Sequence, residues 1–277
     1  SELINACYNP IIPEIAGLMQ VKEEMFDALY ETLEYGQSFP WNKLTEMLRG
    51  YRRGEVIYWG APPKMGKSTR VNEIASHIIQ VHNAPVLLIK PEERPIATLR
   101  RMAGAITGCI MHDPSIKFPL ENIEKAKAIL ANKLTIYDKW QTPNWDDTRQ
   151  LIREAGLQGI KDIFLDPLTN FSVGMSGAER NDFLIKMTRE LAEDAANYDF
   201  TAHVFCHYNT APKGETGWNQ GRIPTSDDFA GSRAMAQACN VMIGIQGWKL
   251  TDEEEESKFL NSRRILHVLE EREYNSV

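Results

Sequence analysis

The residues with the clearest chemical meaning form one run, Trp59-Gly-Ala-Pro-Pro-Lys-Met-Gly-Lys-Ser-Thr69. A loop of this kind can wrap its backbone N–H groups around an anion, and a helix starting at the Lys-Ser pair adds unpaired donors and a positive end. Lys67 is placed to reach the β- and γ-phosphates of a nucleoside triphosphate, and the Ser68 hydroxyl to ligate Mg2+. The phosphate cradle comprises Ala61, Pro62, Pro63, Lys64, Met65, Gly66, Lys67, Ser68 and Thr69. It departs from the pattern G-x-x-x-x-G-K-S at its first position, where Ala61 stands with Gly60 just before it. A bare G-K-S-T recurs by chance at helix starts. Here an apolar strand-like run precedes it and a helical run follows, the context a phosphate-binding loop requires.

Three further strand ends carry polar residues. Lys161-Asp-Ile-Phe-Leu-Asp166 ends an apolar run in a carboxylate, which beside the loop can hold Mg2+. Leu87-Leu-Ile-Lys-Pro-Glu-Glu-Arg94 offers Glu92 and Glu93, either of which could orient or deprotonate an attacking water. Val204-Phe-Cys-His207 ends in a histidine able to sense a γ-phosphate, whereas His203 in the same run reads as a structural residue.

Positioning these groups requires strands alternating with helices. Apolar runs predict strands at 55–59, 85–90, 134–138, 163–166, 201–207, 241–247 and 264–269. Several are unbroken rather than alternating, as in strands covered on both faces. Helical spacing falls at 67–82, 94–108, 120–132, 145–155 and 178–197. The fold class is therefore α/β, with a mainly parallel, doubly wound sheet and helices on both faces. Ahead of it, residues 19–35 space Val21, Met25, Ala28, Leu29 and Leu33 as an amphipathic helix, closed by a breaker cluster at 36–40. Two segments follow: residues 1–40 carry this helix, and 41–277 form the main domain.

Composition narrows the function classes. The 277 residues are 43% hydrophobic and 25% charged, so a disordered or collagen-like chain is excluded. No apolar run is long enough to predict a membrane helix. A net charge of −7 argues against a surface coated in positive charge, though not against a local basic site. Cys7, Cys109, Cys206 and Cys239 are scattered and form no metal-type pair, so they read as buried thiols in a reducing compartment. The chain begins at Ser1 rather than Met, which suggests a piece of something longer. The acidic run at 252–256 reads as a solvated loop.

In order and spacing these motifs resemble the RecA-like motor domain of DnaB-type hexameric replicative helicases, with phage primase–helicases and mitochondrial Twinkle-type helicases the nearest in pattern. The resemblance spans nearly the whole chain. Within it, K-P-E-E corresponds to a catalytic glutamate at Glu92, and F-C-H-Y to a phosphate sensor at His207. Asp228-Phe-Ala-Gly-Ser-Arg-Ala-Met-Ala-Gln237 corresponds to a glycine-serine motif, with a glutamine sensor at Gln237 and DNA-contacting residues at Gly231, Ser232 and Arg233. Ala230 stands where the family often has a basic residue. Arg264-Ile-Leu-His-Val-Leu-Glu-Glu-Arg272 looks like the strand that delivers an arginine finger to a neighbour's nucleotide. Arg272 is the first choice there, and Arg263 and Arg264 are the alternatives. A phosphate-binding loop at a sheet edge would leave one flank of the γ-phosphate open for such a finger. The N-terminal helix corresponds to a linker helix docking on the adjacent subunit.

The resemblance implies ATP or another NTP or dNTP as substrate, Mg2+, single-stranded DNA, and further copies of the chain in a ring, as a hexamer. A primase and polymerase of a replisome are the outer partners it implies, and no membrane. The compartment would be the cytoplasm (of the host, if phage-encoded) or the mitochondrial matrix if Twinkle-like. No primase or zinc module lies within the sequence. Candidate channel loops are 170–180 and the long segment 209–227, where Lys213 and Arg222 would meet phosphates in a salt-sensitive, sequence-independent way. Trp218 there either stacks on bases or folds back onto the surface. The rival readings are a RecA-type recombinase or another DNA-stimulated ATPase without unwinding, and a non-catalytic DNA-binding or loading protein that uses nucleotide as a switch. Lys67, Glu92, Asp166 and Arg272 together weigh against the switch, which could dispense with a base.

Overall fold

The computed structural model describes residues 35–272 except 64, 112, 114, 139–143, 232–234, 237 and 249–263. The amphipathic segment 19–35 therefore lies, but for Tyr35, outside the described residues, as do Lys64, Ser232, Arg233, Gln237 and Arg263. The chain divides into two compact units, Ser1–Tyr35 and Gly36–Val277, and the second holds the sheet and its helices. The stretch 36–40, assigned by sequence to the N-terminal segment, packs with this second unit. Gln37 bridges to Tyr51, and Phe39 is buried against the rings of Tyr51 and Trp59.

Seven strands form one sheet: β1 Val56–Ala61, β2 Val86–Ile89, β3 Leu134–Ile136, β4 Asp162–Leu165, β5 Thr201–His207, β6 Val241–Gly247 and β7 Arg264–Glu271. Their order is β3-β2-β4-β5-β1-β6-β7, with every pair parallel except β6–β7. The strand before the phosphate-binding loop is thus interior. The loop is expected at a sheet edge, but β6 and β7 extend the sheet beyond β1.

The helices are α1 Asn42–Leu48, α2 Lys67–Val81, α3 Pro95–Thr107, α4 Leu120–Leu130, α5 Trp145–Leu157 and α6 Gly177–Asn197. β1 shows why two layers form. Successive side chains of a strand alternate faces, so Val56 and Tyr58 enter a core with α5 and α6, and Ile57 and Trp59 one with α2, α3 and α4. All six β1 residues are buried. Burying each large side chain contributes about 1.5–3 kcal/mol, which is why a fully apolar run is stable only as an inner strand. Helix starts follow local chemistry. Pro95 stands in the first turn of α3, Asn144 accepts from Asp147 N to open α5, and Ser176 and Glu179 form a reciprocal capping box on α6. That box shortens the expected loop at 170–180: Leu168–Ser172 is a 3-10 turn and Gly177 is already helical.

Candidate nucleotide site

Parallel strands carry their loops at their carboxyl ends, and the strand order β2-β4-β5-β1 therefore lines up four loop starts along one edge of the sheet. Glu92 follows β2, Asp166 follows β4, His207 ends β5, and the 61–69 loop leaves β1. Ala61 is paired in register with His207, and Asp166 N donates to Ile89 O at 2.9 Å. Residues far apart in sequence converge here because of the crossover order, not through local motifs.

At the loop, Gly66 takes φ +91°, a left-handed conformation that disfavours side chains, and caps α2. Helix α2 starts at Lys67, so its first N–H groups have no partner within the helix and face the loop's end. Lys67 is 7% exposed. Its Nζ lies 2.6 Å from Asp166 Oδ1 and 3.3 Å from His207 Nε2. An ammonium has only protons to offer, so His207 Nε2 is the acceptor and the imidazole proton sits on Nδ1, a buried atom with no hydrogen-bond partner among the described residues. Burial and the Lys67 charge hold the His207 pKa below its usual range, while Glu92 and Asp166 pull the other way. His207 is therefore neutral at pH 7, and Glu92 is close enough for its charge to reach it.

The two adjacent glutamates separate sharply. Glu93 accepts from Lys90 Nζ at 2.5 Å, Thr98 Oγ1 at 2.9 Å and Arg101 Nε at 2.7 Å. Burial alone would raise its pKa, but these partners, Lys90 first, outweigh it and the net direction is down. Releasing Glu93 would forfeit three charge-assisted bonds at about 1.5–3 kcal/mol each. Glu92 is exposed at the same strand end, with no such engagement among the described residues. Arg101 and Thr98 decide between the acids, and no local signal marks them, because they lie one and two turns into α3.

The remaining site residues divide. Ser68 is half-buried and Thr69 exposed in the first turn of α2; Ala61, Pro62 and Met65 are buried, and Pro63 is exposed. Arg272 lies at the other end of β7 from the loop, its Nη2 donating to Ala236 O at 3.0 Å. Arg264, the alternative finger, sits against its own chain's loop instead, with Nε 3.0 Å from Met65 O. Lys213 is exposed on the 209–227 segment. Arg222, expected to meet phosphate, is held by the carboxylates of Glu215 and Asp228 (Asp228 Oδ1 at 3.1 Å), so its charge is neutralised internally. Trp218 folds back: its ring lies 4.5 Å from that of Tyr208 and its Nε1 donates to Asn209 O at 2.9 Å. Gly231 has φ +92° and packs on Leu184. Cys206 and Cys239 are buried, and burial lifts their thiols to about 12 and about 11, far from reactive thiolates. Among the described residues no group of three or more His, Cys, Asp or Glu could hold a metal, and no helix is long and apolar enough to cross a membrane.

A left-handed glycine at a helix start, a buried lysine beside a strand-end aspartate, and a sheet of this order define a P-loop nucleoside triphosphatase of RecA-like architecture. The chain belongs to the family of DnaB-like helicase C-terminal domains, whose model matches residues 36–273. It is an enzyme of the NTP-hydrolysing helicase class. The fold is similar to the ATPase domain of G40P at 15% identity and a TM-score of 0.71, covering 90% of this chain and 88% of that one. It is also similar to a structure described as a DnaB-like replicative helicase and its interactions with primase, at 16% identity and a TM-score of 0.71. The match there covers 92% of this chain but 63% of the other. No curated protein matches the chain.

Proposed function

We propose that the chain is the motor of a replicative DNA helicase, hydrolysing NTP at the interfaces of a homo-oligomeric ring and translocating on single-stranded DNA to unwind duplex. The supporting observation is the Lys67–Asp166–His207 contact with Glu92 beside it, at the carboxyl edge of the sheet. Lys67 and the N–H groups opening α2 bind the β- and γ-phosphates, together with the rest of the 61–69 loop. Glu92 takes a proton from, or orients, the attacking water, being the unengaged acid of the pair. His207, neutral and paired in register with Ala61, reads the γ-phosphate, and Gln237 has the corresponding sensing role from the family resemblance. Arg272 acts on a neighbouring chain's nucleotide.

The residues suit Mg2+. Asp166 is a buried carboxylate whose charge partner, Lys67, is the group that would turn to phosphate, and the Ser68 hydroxyl lies in the adjoining turn. These two would hold the ion, which when bound neutralises phosphate charge. DNA contact is assigned to Lys213 and to Gly231, Ser232 and Arg233, with Arg222 bracing its loop through Glu215 and Asp228. Segment 1–40 supplies a linker helix to a neighbouring copy, and primase and polymerase are the replisome partners that this reading implies. The compartment is the cytoplasm, or the mitochondrial matrix for a Twinkle-like source.

A forked-duplex assay with ATP, run beside ATPase measurements with and without single-stranded DNA, tests the reading. DNA-stimulated turnover with strand separation is expected. DNA-stimulated turnover without separation would favour a recombinase-like ATPase, and nucleotide binding without turnover a switch.

A further inference from the structure

Arg264 is the first residue of β7, which pairs antiparallel with β6, so that Arg264 stands opposite Gly247 at the carboxyl edge of the sheet. That brings it to the phosphate-binding loop across 199 positions of sequence. Its path is specific. A Cβ placed on Gly247 would lie 2.8 Å from Arg264 Cδ, 2.9 Å from Nε and 3.3 Å from Cζ, so the guanidinium passes over the bare Cα of Gly247. From there Nε donates to Met65 O at 3.0 Å, and it also lies 3.9 Å from where a side chain on Gly66 would begin.

The chemistry of that one hydrogen bond follows from the peptide plane. In a trans peptide the carbonyl of one residue and the N–H of the next point in opposite directions. Fixing the Met65 carbonyl on Arg264 therefore turns the Gly66 N–H away from Arg264. It also removes a carbonyl oxygen that, if rotated inward, would repel a phosphate. Arg70, four residues after Gly66, is near enough for its charge to act on Arg264, and it is itself tied to Glu73 at 2.5 Å. Two guanidinium groups thus flank the turn that opens α2.

We propose that Arg264 is a positioning residue for its own chain's nucleotide site, holding the Met65–Gly66 peptide so that its N–H serves the phosphates, with Gly247 as the opening that lets it reach. This rests on the nucleoside-triphosphatase reading and adds a residue to it. It also removes Arg264 from the candidates for a finger acting across an interface.

The experiment measures binding of a fluorescent ATP analogue, then KM and kcat, in the full chain, for R264A, R264K and G247A. R264A and G247A should each weaken nucleotide binding by about tenfold, the value of one hydrogen bond of about 1.4 kcal/mol. KM should rise more than kcat falls, and R264K, which keeps a cation on a long stem, should recover part of the loss. Melting temperatures without nucleotide, measured alongside, identify any variant that fails to fold, and R264K then carries the comparison. Wild-type affinity in folded R264A overturns the proposal. So does recovery of low-ATP turnover when R264A is mixed with E92Q, since that would place Arg264 at a neighbour's site. If the wild-type chain itself fails to bind the analogue, the nucleotide reading falls first, a result distinct from either of these.

Discussion

At the scale of single residues, the site is a contest for charges. Lys67 and Asp166 neutralise each other in a buried place, and Glu93 is consumed by Lys90, Thr98 and Arg101, which leaves Glu92 as the unengaged acid of the pair. Glu92→Gln should keep nucleotide binding and lower turnover about 10²–10⁴-fold, the usual range for a positioned base. Glu93→Gln should instead lower stability by about 1–3 kcal/mol in urea unfolding, as the buried Lys90 loses its counter-charge. A larger fall in kcat for Glu93→Gln than for Glu92→Gln would reverse the assignment. Histidine gives a pH prediction. His203, wholly buried among Phe164, Tyr51 and Trp59, and His207 are both held below the ordinary 6.5, chiefly by burial. Below 6.5 the unfolded chain therefore binds more protons than the folded one. Stability from these two groups is complete above 6.5 and declines as pH falls beneath it, which thermal unfolding at stepped pH would show. His203→Phe, at a position already stacked at 4.6 Å on Phe164, should flatten that decline.

At the scale of elements, the strands and helices are the most legible part of the sequence. All seven apolar runs and all five helical spacings in the main domain correspond to observed elements. Burial on both faces makes such runs continuous, and capping residues mark helix starts in plain view. Adjacency is not legible in the same way. Nothing in the run at 55–61 shows that β1 has β5 on one side and β6 on the other, because strand order is settled by crossovers and packing between distant segments. For the same reason the place of Arg264 differs from expectation, its partner being a loop 199 positions away. Arg222 differs for a local reason: the turn of its own segment brings Glu215 and Asp228, seven residues before and six after, onto its guanidinium. That segment is held by aromatic packing at the end of β5. Gly60 faces Tyr208 and Phe229 so closely that a Cβ would come within 2.3 Å and 2.4 Å of their rings. Gly60→Ala should therefore destabilise by about 1–3 kcal/mol, the typical cost of overpacking. Denaturant unfolding measures it, and an unchanged midpoint would mean that the rings yield freely.

At the scale of the whole molecule, Arg272 is separated from its own phosphate-binding loop by the length of β7, roughly 25 Å at about 3.3 Å per residue. A guanidinium cannot cover that distance, so direct contact with a nucleotide, if Arg272 makes any, would be with another copy's. Turnover per chain should then fall on dilution. Mixing two inactive proteins, Arg272→Ala and Glu92→Gln, should restore part of the ATPase activity, because some junctions join an intact acid to an intact arginine. Fingers of this type are worth about 10³–10⁵ in rate, so even rare repaired junctions would be visible. Mixtures shown by mass to co-assemble yet remaining inactive would exclude the role.

Strand β7 has one end on the loop of its own chain and the other at the opposite edge of the sheet, so if Arg272 serves a neighbour as proposed, each contact joins unlike ends of two copies. Contacts between unlike ends close only when the rotation from copy to copy completes a circle; otherwise they continue as a helix. A closed circle of such copies has as many completed pockets as chains, but a row with a gap always has one fewer. If the proposed ring forms, opening it to admit a strand of DNA would therefore silence one pocket, the one at the gap, and leave the others competent.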